Sequence, residues 1–296
     1  MRKAAPWLLF AVLILMVAAS AQAAEAFWAV IGPPGPPTLV LWDPSSSSSP
    51  GVAITGLQPS EIPLGIALRP ATGELYLVGS TSRLYRLSPT TGVATVAGSP
   101  FAPLLSGSNF GVAFDNADRL RVVSDTGQNL RIDPATAAVT VDTPLAFAAG
   151  DPNAGQTPHV FAIAYHHKNG GATAYAIDAN RGLLRLGSAT ASDGMLTTIA
   201  AGTPSLAGFD ISPATGLAYG IVPGFAPELV VLNLQTGAVS PLAPAGGQFT
   251  IYHGFAVAPA IPSAPALGWQ GLACLALGLA LSALLLLRKR RQNRPA

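Results

Sequence analysis

Short apolar runs recur along this chain at a nearly fixed interval. The tetrapeptides "GIAL" (65–68), "GVAF" (111–114), "AIAY" (162–165), "GFDI" (208–211) and "GFAV" (254–257) begin 46, 51, 46 and 46 residues apart. Behind the first four follow a second run ("LYLV", "LRVV", "AYAI", "LAYG"), a third ("LYRL", "NLRI", "LLRL", "LVVL") and a fourth ("ATVAG", "AVTVD", "LTTIA", "AVSPL"). Four short β-rich runs per period, punctuated by Gly, Pro, Asp and Thr, predict one four-stranded propeller blade per period. Counting back one period from Gly65 lands on Ala19, so the first unit keeps only "FWAV" (27–30), "TLVLW" (38–42) and "GVAIT" (51–55). The last unit keeps only its opening run. The pattern therefore predicts an all-β, five-bladed β-propeller over residues 24–259, with 254–257 pairing against 27–30 to close the ring.

Related turns separate the runs: "RPATG" (69–73), "SPTTG" (88–92), "DPATA" (133–137), "SPATG" (212–216) and "NLQTG" (233–237). Pro pre-sets the backbone dihedral early in a turn and Gly accepts positive φ at its end. These stretches are expected to be hairpin turns joining first to second or third to fourth strands.

The ends of the chain read differently. Arg2 and Lys3 precede an apolar run over 7–19 and a small-residue triplet, Ala21-Gln22-Ala23, which predicts a signal peptide over 1–23. Residues 267–287 form a charge-free stretch long enough to span a bilayer, and 288–296 is a basic tail of the kind retained in the cytoplasm. A linker, 260–266, joins this predicted transmembrane helix to the propeller. The two ends hold seven of the 16 Lys and Arg residues, so the part between carries nine against 14 acidic residues, a net charge of −5. Such a surface argues against nucleic acid. Cys274, the only Cys, falls in the predicted span, so no disulfide forms within the chain.

With the repeats aligned, 65–101 and the block "RLRVVSDTGQNLRIDPATAAV" (119–139) closely resemble bacterial family 4394 of domains of unknown function. "RVVSDTGQNLR" (121–131) is the most specific part of a resemblance covering roughly 62–258. It implies a secreted propeller-like domain and brings no catalytic residues. The tail, "IPSAPALGW" (261–269) before the span and "RKRR" after it, resembles the C-terminal sorting signals processed by exosortase-type transpeptidases, nearest the Ile-Pro-Thr-Leu variant. It departs from that variant at Ser263 and Ala264 and in the late position of Trp269.

Candidate chemistry is sparse. No phosphate-cradling loop, zinc-protease helix, Ca²⁺ loop or nucleophile elbow occurs, and no metal or cofactor is expected. His166 and His167 are adjacent near a first hairpin turn; in a strand they would point to opposite faces. A propeller hydrolase, glycosidase- or lactonase-like, would gather Asp115, His166 and Asp210 at the mouth of the central channel, while hydrogen-bonding turn backbone is their plainer role. Arg86, Arg131 and Arg185 occupy one position of the third strand in three successive units, suited to pairing with Asp or carbonyl groups or to a ring for anions. The longest blade-to-blade connections, 98–110 and 142–160, flank the unit that holds "SDTGQN" (124–129). Long loops on a rigid scaffold carry function. Asn109, Asp125, Gln128, Asn129, Asp151, Asn153 and Gln156 are thus the candidate ligand-binding residues for a hydroxyl-rich ligand, with capping of loop backbone as their alternative role. The expected function is a non-catalytic binding or structural module of the cell envelope, its ectodomain outside the cytoplasmic membrane. Its expected partners are an extracellular glycan or envelope protein, the membrane, and an exosortase-type enzyme.

Overall fold

The computed structural model describes residues 25–32, 35–44, 51–168, 171–187, 191–245 and 252–258. The predicted signal peptide and transmembrane helix lie outside the described residues, among which no helix is long and apolar enough to cross a membrane. Residues 25–260 form one compact unit.

All regular structure described is β. Strands β1 (Phe27–Ile31), β2 (Thr38–Trp42) and β3 (Gly51–Ala53) belong to the first sheet. The second is β4 (Pro63–Leu68), β5 (Leu75–Gly79), β6 (Arg83–Leu87) and β7 (Ala94–Val96); the third is β8 (Phe110–Phe114), β9 (Leu120–Ser124), β10 (Asn129–Ile132) and β11 (Val139–Val141). After β12 (Ala146–Phe147), the fourth holds β13 (Val160–Lys168), β14 (Gly171–Asp178), β15 (Gly182–Leu186) and β16 (Met195–Ala200). The fifth holds β17 (Gly208–Ile211), β18 (Ala218–Val222), β19 (Glu228–Leu232) and β20 (Val239–Pro244), and β21 (Tyr252–Val257) ends the series. Apart from β12, each sheet is an antiparallel meander, and β21 joins the first sheet in the order β21-β1-β2-β3. The five-bladed propeller and its closure match the interval arithmetic, down to Phe27 facing Val257 and Val30 facing Gly254.

Five apolar clusters hold the ring, one at each contact between neighbouring blades. The joint between fifth and first blades is built from Phe27, Tyr219, Ile221, Leu229, Phe255 and Val257. There Phe27 stacks on Phe255 at 5.4 Å between ring centroids and meets Tyr219 edge-on at 4.9 Å. Such aromatic pairs add about 0.5–1.5 kcal/mol to the burial of their area. The closing strand is therefore part of a core joint as well as a ladder. At the rim, β3, β7 and β11 are three residues each. Short outer strands offer little free edge to another chain.

The five repeated turns share one hydrogen-bonding scheme. The first residue's carbonyl accepts from the fifth residue's N–H at 2.8–2.9 Å, and its own N–H donates to the carbonyl of the sixth. The fourth residue is Thr in every turn; Thr72, Thr91, Thr136, Thr215 and Thr236 each accept from the sixth residue's N–H at 3.3–3.4 Å. Where the first residue is Ser88, Asp133, Ser212 or Asn233, its side chain accepts from the third or fourth residue's N–H or both. The fifth residue sits at φ between 58° and 72°, which explains Gly at four of the five positions, with Ala137 the fifth. At Gly92 a Cβ would also stand 2.2 Å from the Ala53 carbonyl oxygen.

One element has no counterpart in the repeat. Ala146–Phe147 adds to the outer edge of the fourth blade as a fifth strand, parallel to β16. Much of the connection 142–160 is thereby drawn to the blade's rim.

Candidate functional site

The five innermost strands, β4, β8, β13, β17 and β21, are each paired on one edge only, and each packs beside the next around the axis. Their close approach needs small residues. A Cβ on Gly111 would lie 2.7 Å from the Ile163 nitrogen, and one on Gly254 would lie 2.8 Å from the Ile66 nitrogen. The glycines that set the sequence period are thus spacers for a narrow channel.

Directly before these glycines, and before Ala162 at the same place in the fourth blade, stand Leu64, Phe110, Phe161, Ala207 and His253. All five line a funnel of about 390 Å³ at the end of the axis where the inner strands begin. Three of them lie at ladder irregularities: the register shifts between Pro63 and Gly65, between Val160 and Ala162, and opposite His253 between Val30 and Ile31. A bulge re-aims a side chain out of the regular alternation. Ser108, Asn109, Ala179, Ser205, Pro223 and Tyr252 complete the rim. Burial lowers the pKa of His253, favouring its neutral form, and pushes that of Tyr252 up to about 12.

At the other end of the channel a cavity of about 40 Å³ is lined by Tyr165, His167 and Asp210 among apolar residues. Burial raises Asp210 to about 6, although its carboxylate accepts from the Val257 N–H at 2.8 Å and the Ile211 N–H at 2.8 Å. Asp210 therefore pins the closing strand to the fifth blade. Burial also lowers His167, which lies 6.2 Å from the Tyr165 ring. His166 and His167 sit within β13, opposite Thr173 and Ala172, rather than in a turn. They do point to opposite sides: His167 lines the channel, while a Cβ on Gly216 would lie 2.9 Å from the His166 Nε2. Asp115 is buried at the end of β8, accepting from the Ala117 and Arg119 N–H groups at 2.9 Å each. Among the described residues no group of three or more His, Cys, Asp or Glu is placed to hold a metal ion.

The seven candidate ligand residues are distributed over three hydrogen-bonded groups and one exposed position. Asp125 accepts from the Ser108 N–H, the Asn109 N–H and the Asn109 Nδ2 at 2.8–3.1 Å. Gln128 accepts from the Ser106 N–H and donates to the Leu104 carbonyl, both at 2.9 Å. These two residues, with Asn109, clamp the connection 98–110 onto "SDTGQN". Asp151 accepts from the Asn153 N–H at 2.8 Å and from the Thr198 N–H at 2.6 Å and Oγ1 at 2.9 Å, and Asn153 Nδ2 donates to Thr198. Burial works to raise the Asp151 pKa, yet these bonds hold it below the usual carboxylate value. Gln156 is exposed in the same connection. Only Asn109 of the seven lines the funnel.

Glu61 and Asp178 do the same work in the neighbouring blades, unmarked by any sequence pattern. Glu61 accepts from the Gln58 and Thr81 N–H groups, Thr81 Oγ1 and the Tyr85 hydroxyl. Asp178 accepts from the His159, Asn180 and Arg181 N–H groups at 2.6–3.0 Å.

Asn129 belongs to the third group, centred on Arg121, whose side chain is wholly buried. The Arg121 guanidinium donates to the Tyr165 hydroxyl of the next blade at 2.7 Å, to Asp142 at 3.0 Å and to Asn129 Oδ1. Asn129 Nδ2 donates in turn to the Thr143 and Ala191 carbonyls at 3.0 and 3.2 Å. Arg131 grips the same Asp142 in a two-bond fork at 2.7 and 2.8 Å. Two arginines of the block 121–131 thus share Asp142, and hydrogen bonds from Arg121 and Asn129 tie this buried group to the fourth blade. Arg86 lies 3.9 Å from Glu74 of its own blade, and Arg185 is exposed. The three arginines stand in third strands, away from the axis, and form no ring at the channel.

A five-bladed β-propeller with an axial funnel is the class of protein that this architecture defines. The chain belongs to the family described as a domain of unknown function (DUF4394), whose model matches residues 38–253. No curated protein matches it. In the solved structures it is similar to a structural genomics protein of unknown function from Bacteroides thetaiotaomicron, at 16% identity and a TM-score of 0.49 over 78% of this chain and 62% of that one. It is similar to TolB from Acinetobacter baumannii at 14% identity and a TM-score of 0.46, over 80% and 57% of the two chains. It is also similar to a glutaminyl cyclase from Myxococcus xanthus at 14% identity and a TM-score of 0.42, over 67% and 84%. The chain thus matches about three-fifths of the length of the first two, 62% and 57%.

Proposed function

We propose that this protein is an exported propeller of the cell envelope, held at the cytoplasmic membrane by residues 267–287 unless its tail is cleaved, and that it works as a non-catalytic binding module. The supporting observation is the axial funnel, where the openings of all five inner strands converge on one space. The hydrolase alternative rests on Asp115 and Asp210 at the other end of the channel, where each accepts two main-chain hydrogen bonds, a role that turn and strand packing also accounts for.

Full-length protein should fractionate with membranes, while a chain ending at Pro265 should be released to the periplasm or medium. Identical fractionation would remove the C-terminal anchor from the proposal. A shortened mature protein lacking residues 267–296 would place an exosortase-type enzyme among its partners. Glycoside, ester and lactone substrates should show no turnover that Asp115→Asn or Asp210→Asn abolishes. Turnover lost in either variant at an unchanged melting temperature would establish the hydrolase in its place.

A further inference from the structure

The geometry points to an uncharged saccharide as the occupant of the axial funnel, a step that rests on the binding-module proposal. Leu64, Phe110, Phe161, Ala207 and His253 recur at the repeat period and form a collar, every member half-buried. Bulges aim two of its large members, Leu64 and Phe161, away from the ordinary alternation, and His253 stands opposite a third irregularity. Core packing alone does not require the same distortion at one position of three blades.

None of the described lining residues is Asp, Glu, Lys or Arg. A phosphate, carboxylate or ammonium group seated there would lose hydration with no opposite charge to replace it, at a cost of several kcal/mol. The available polar groups are neutral: the hydroxyls of Ser108 and Ser205, the imidazole of His253, and main-chain groups on the unpaired edges of the inner strands. A purely apolar plug would take those groups from water without replacing their hydrogen bonds, at about 1–3 kcal/mol for each one left unsatisfied. A pyranose answers both requirements, with an apolar C–H face for Phe110 and Phe161 and hydroxyls for the neutral groups. The funnel's 390 Å³ falls at the lower end of small-molecule sites, which run about 300–1,000 Å³.

The test uses purified full-length protein in a detergent without a sugar head group. Maltose, cellobiose and N,N′-diacetylchitobiose are titrated beside sulfated and uronic oligosaccharides and short apolar peptides. At least one neutral disaccharide should bind, with an affinity insensitive to salt, because no charge pairing is involved. Ala179→Trp and Ser205→Trp each place a large ring at an exposed rim position and should weaken binding at least about tenfold. Phe161→Leu keeps an apolar side chain and loses the ring face; because Phe161 also packs on the cluster between fourth and fifth blades, it should weaken binding several-fold with only a small drop in melting temperature. Disaccharide binding untouched by both Trp variants would overturn the site. A charged saccharide or a peptide that binds instead, and is lost in the Trp variants, would overturn the ligand class while leaving the binding-module proposal standing. If no probe binds at all, both fall.

Discussion

A chain ending at Gly247 should fail to give a soluble, cooperatively melting monomer, whereas one ending at Pro265 should melt as a single unit. The shorter chain lacks β21, so β1 loses the partner that pairs it from Phe27 to Ile31. It also lacks Phe255 and Val257 from the joint between the fifth and first blades. Two defects then act together: a bare strand edge, which invites pairing between molecules, and a core joint opened to water. Phe255→Ala in the longer chain isolates the second defect. Truncating a buried Phe costs about 3–5 kcal/mol. That variant should remain monomeric with a lowered melting temperature. Unchanged melting and monomeric behaviour of the chain ending at Gly247 would remove ring closure from the account.

Asp142→Ala should destabilise the protein by about 3–5 kcal/mol, the range for removing one member of a buried ion pair. The substitution takes the carboxylate from the fully buried Arg121 and dissolves the two-bond fork of Arg131. Arg121→Met should cost clearly less, because it removes the buried charge and keeps apolar volume, while Asp142 stays engaged by Arg131. Urea unfolding of the two variants measures the difference. Equal losses would mean that Arg121 acts through its packing rather than its charge.

The ring was legible because its narrowest part repeats. Glycine at the axis and Thr-Gly in the turns are demanded by geometry, so they recur wherever the geometry does. Closure followed from the missing first strand and the surplus last one. Arg121 was hidden by its own chemistry, since an Arg in "LRVVS" reads as a solvent-facing position. A signal did exist: in the aligned second strands Arg121 stands where Tyr76 and Tyr219 stand, both buried. The bulges left no mark, because Leu64, Phe161 and His253 share no residue type that announces one. β12 is two residues long and carries no period. As for Asn109, Asp125, Gln128, Asn129, Asp151, Asn153 and Gln156, sequence cannot separate groups that hold a loop from groups that hold a ligand. Both tasks call for the same donors and acceptors on the same connections.

Amide hydrogen exchange of the full-length protein, with and without the tightest-binding disaccharide of the panel, tests the funnel most directly. Added protection is expected at the starts of the five inner strands, residues 63–66, 109–112, 161–163, 205–209 and 252–255, which meet around the mouth. Exchange at 124–129 and 151–156 should stay as it is in the free protein, since those loops are already held by their own hydrogen bonds. Protection confined to 124–129 and 151–156, with the inner strands unaffected, would contradict an axial site and move binding to the loop face.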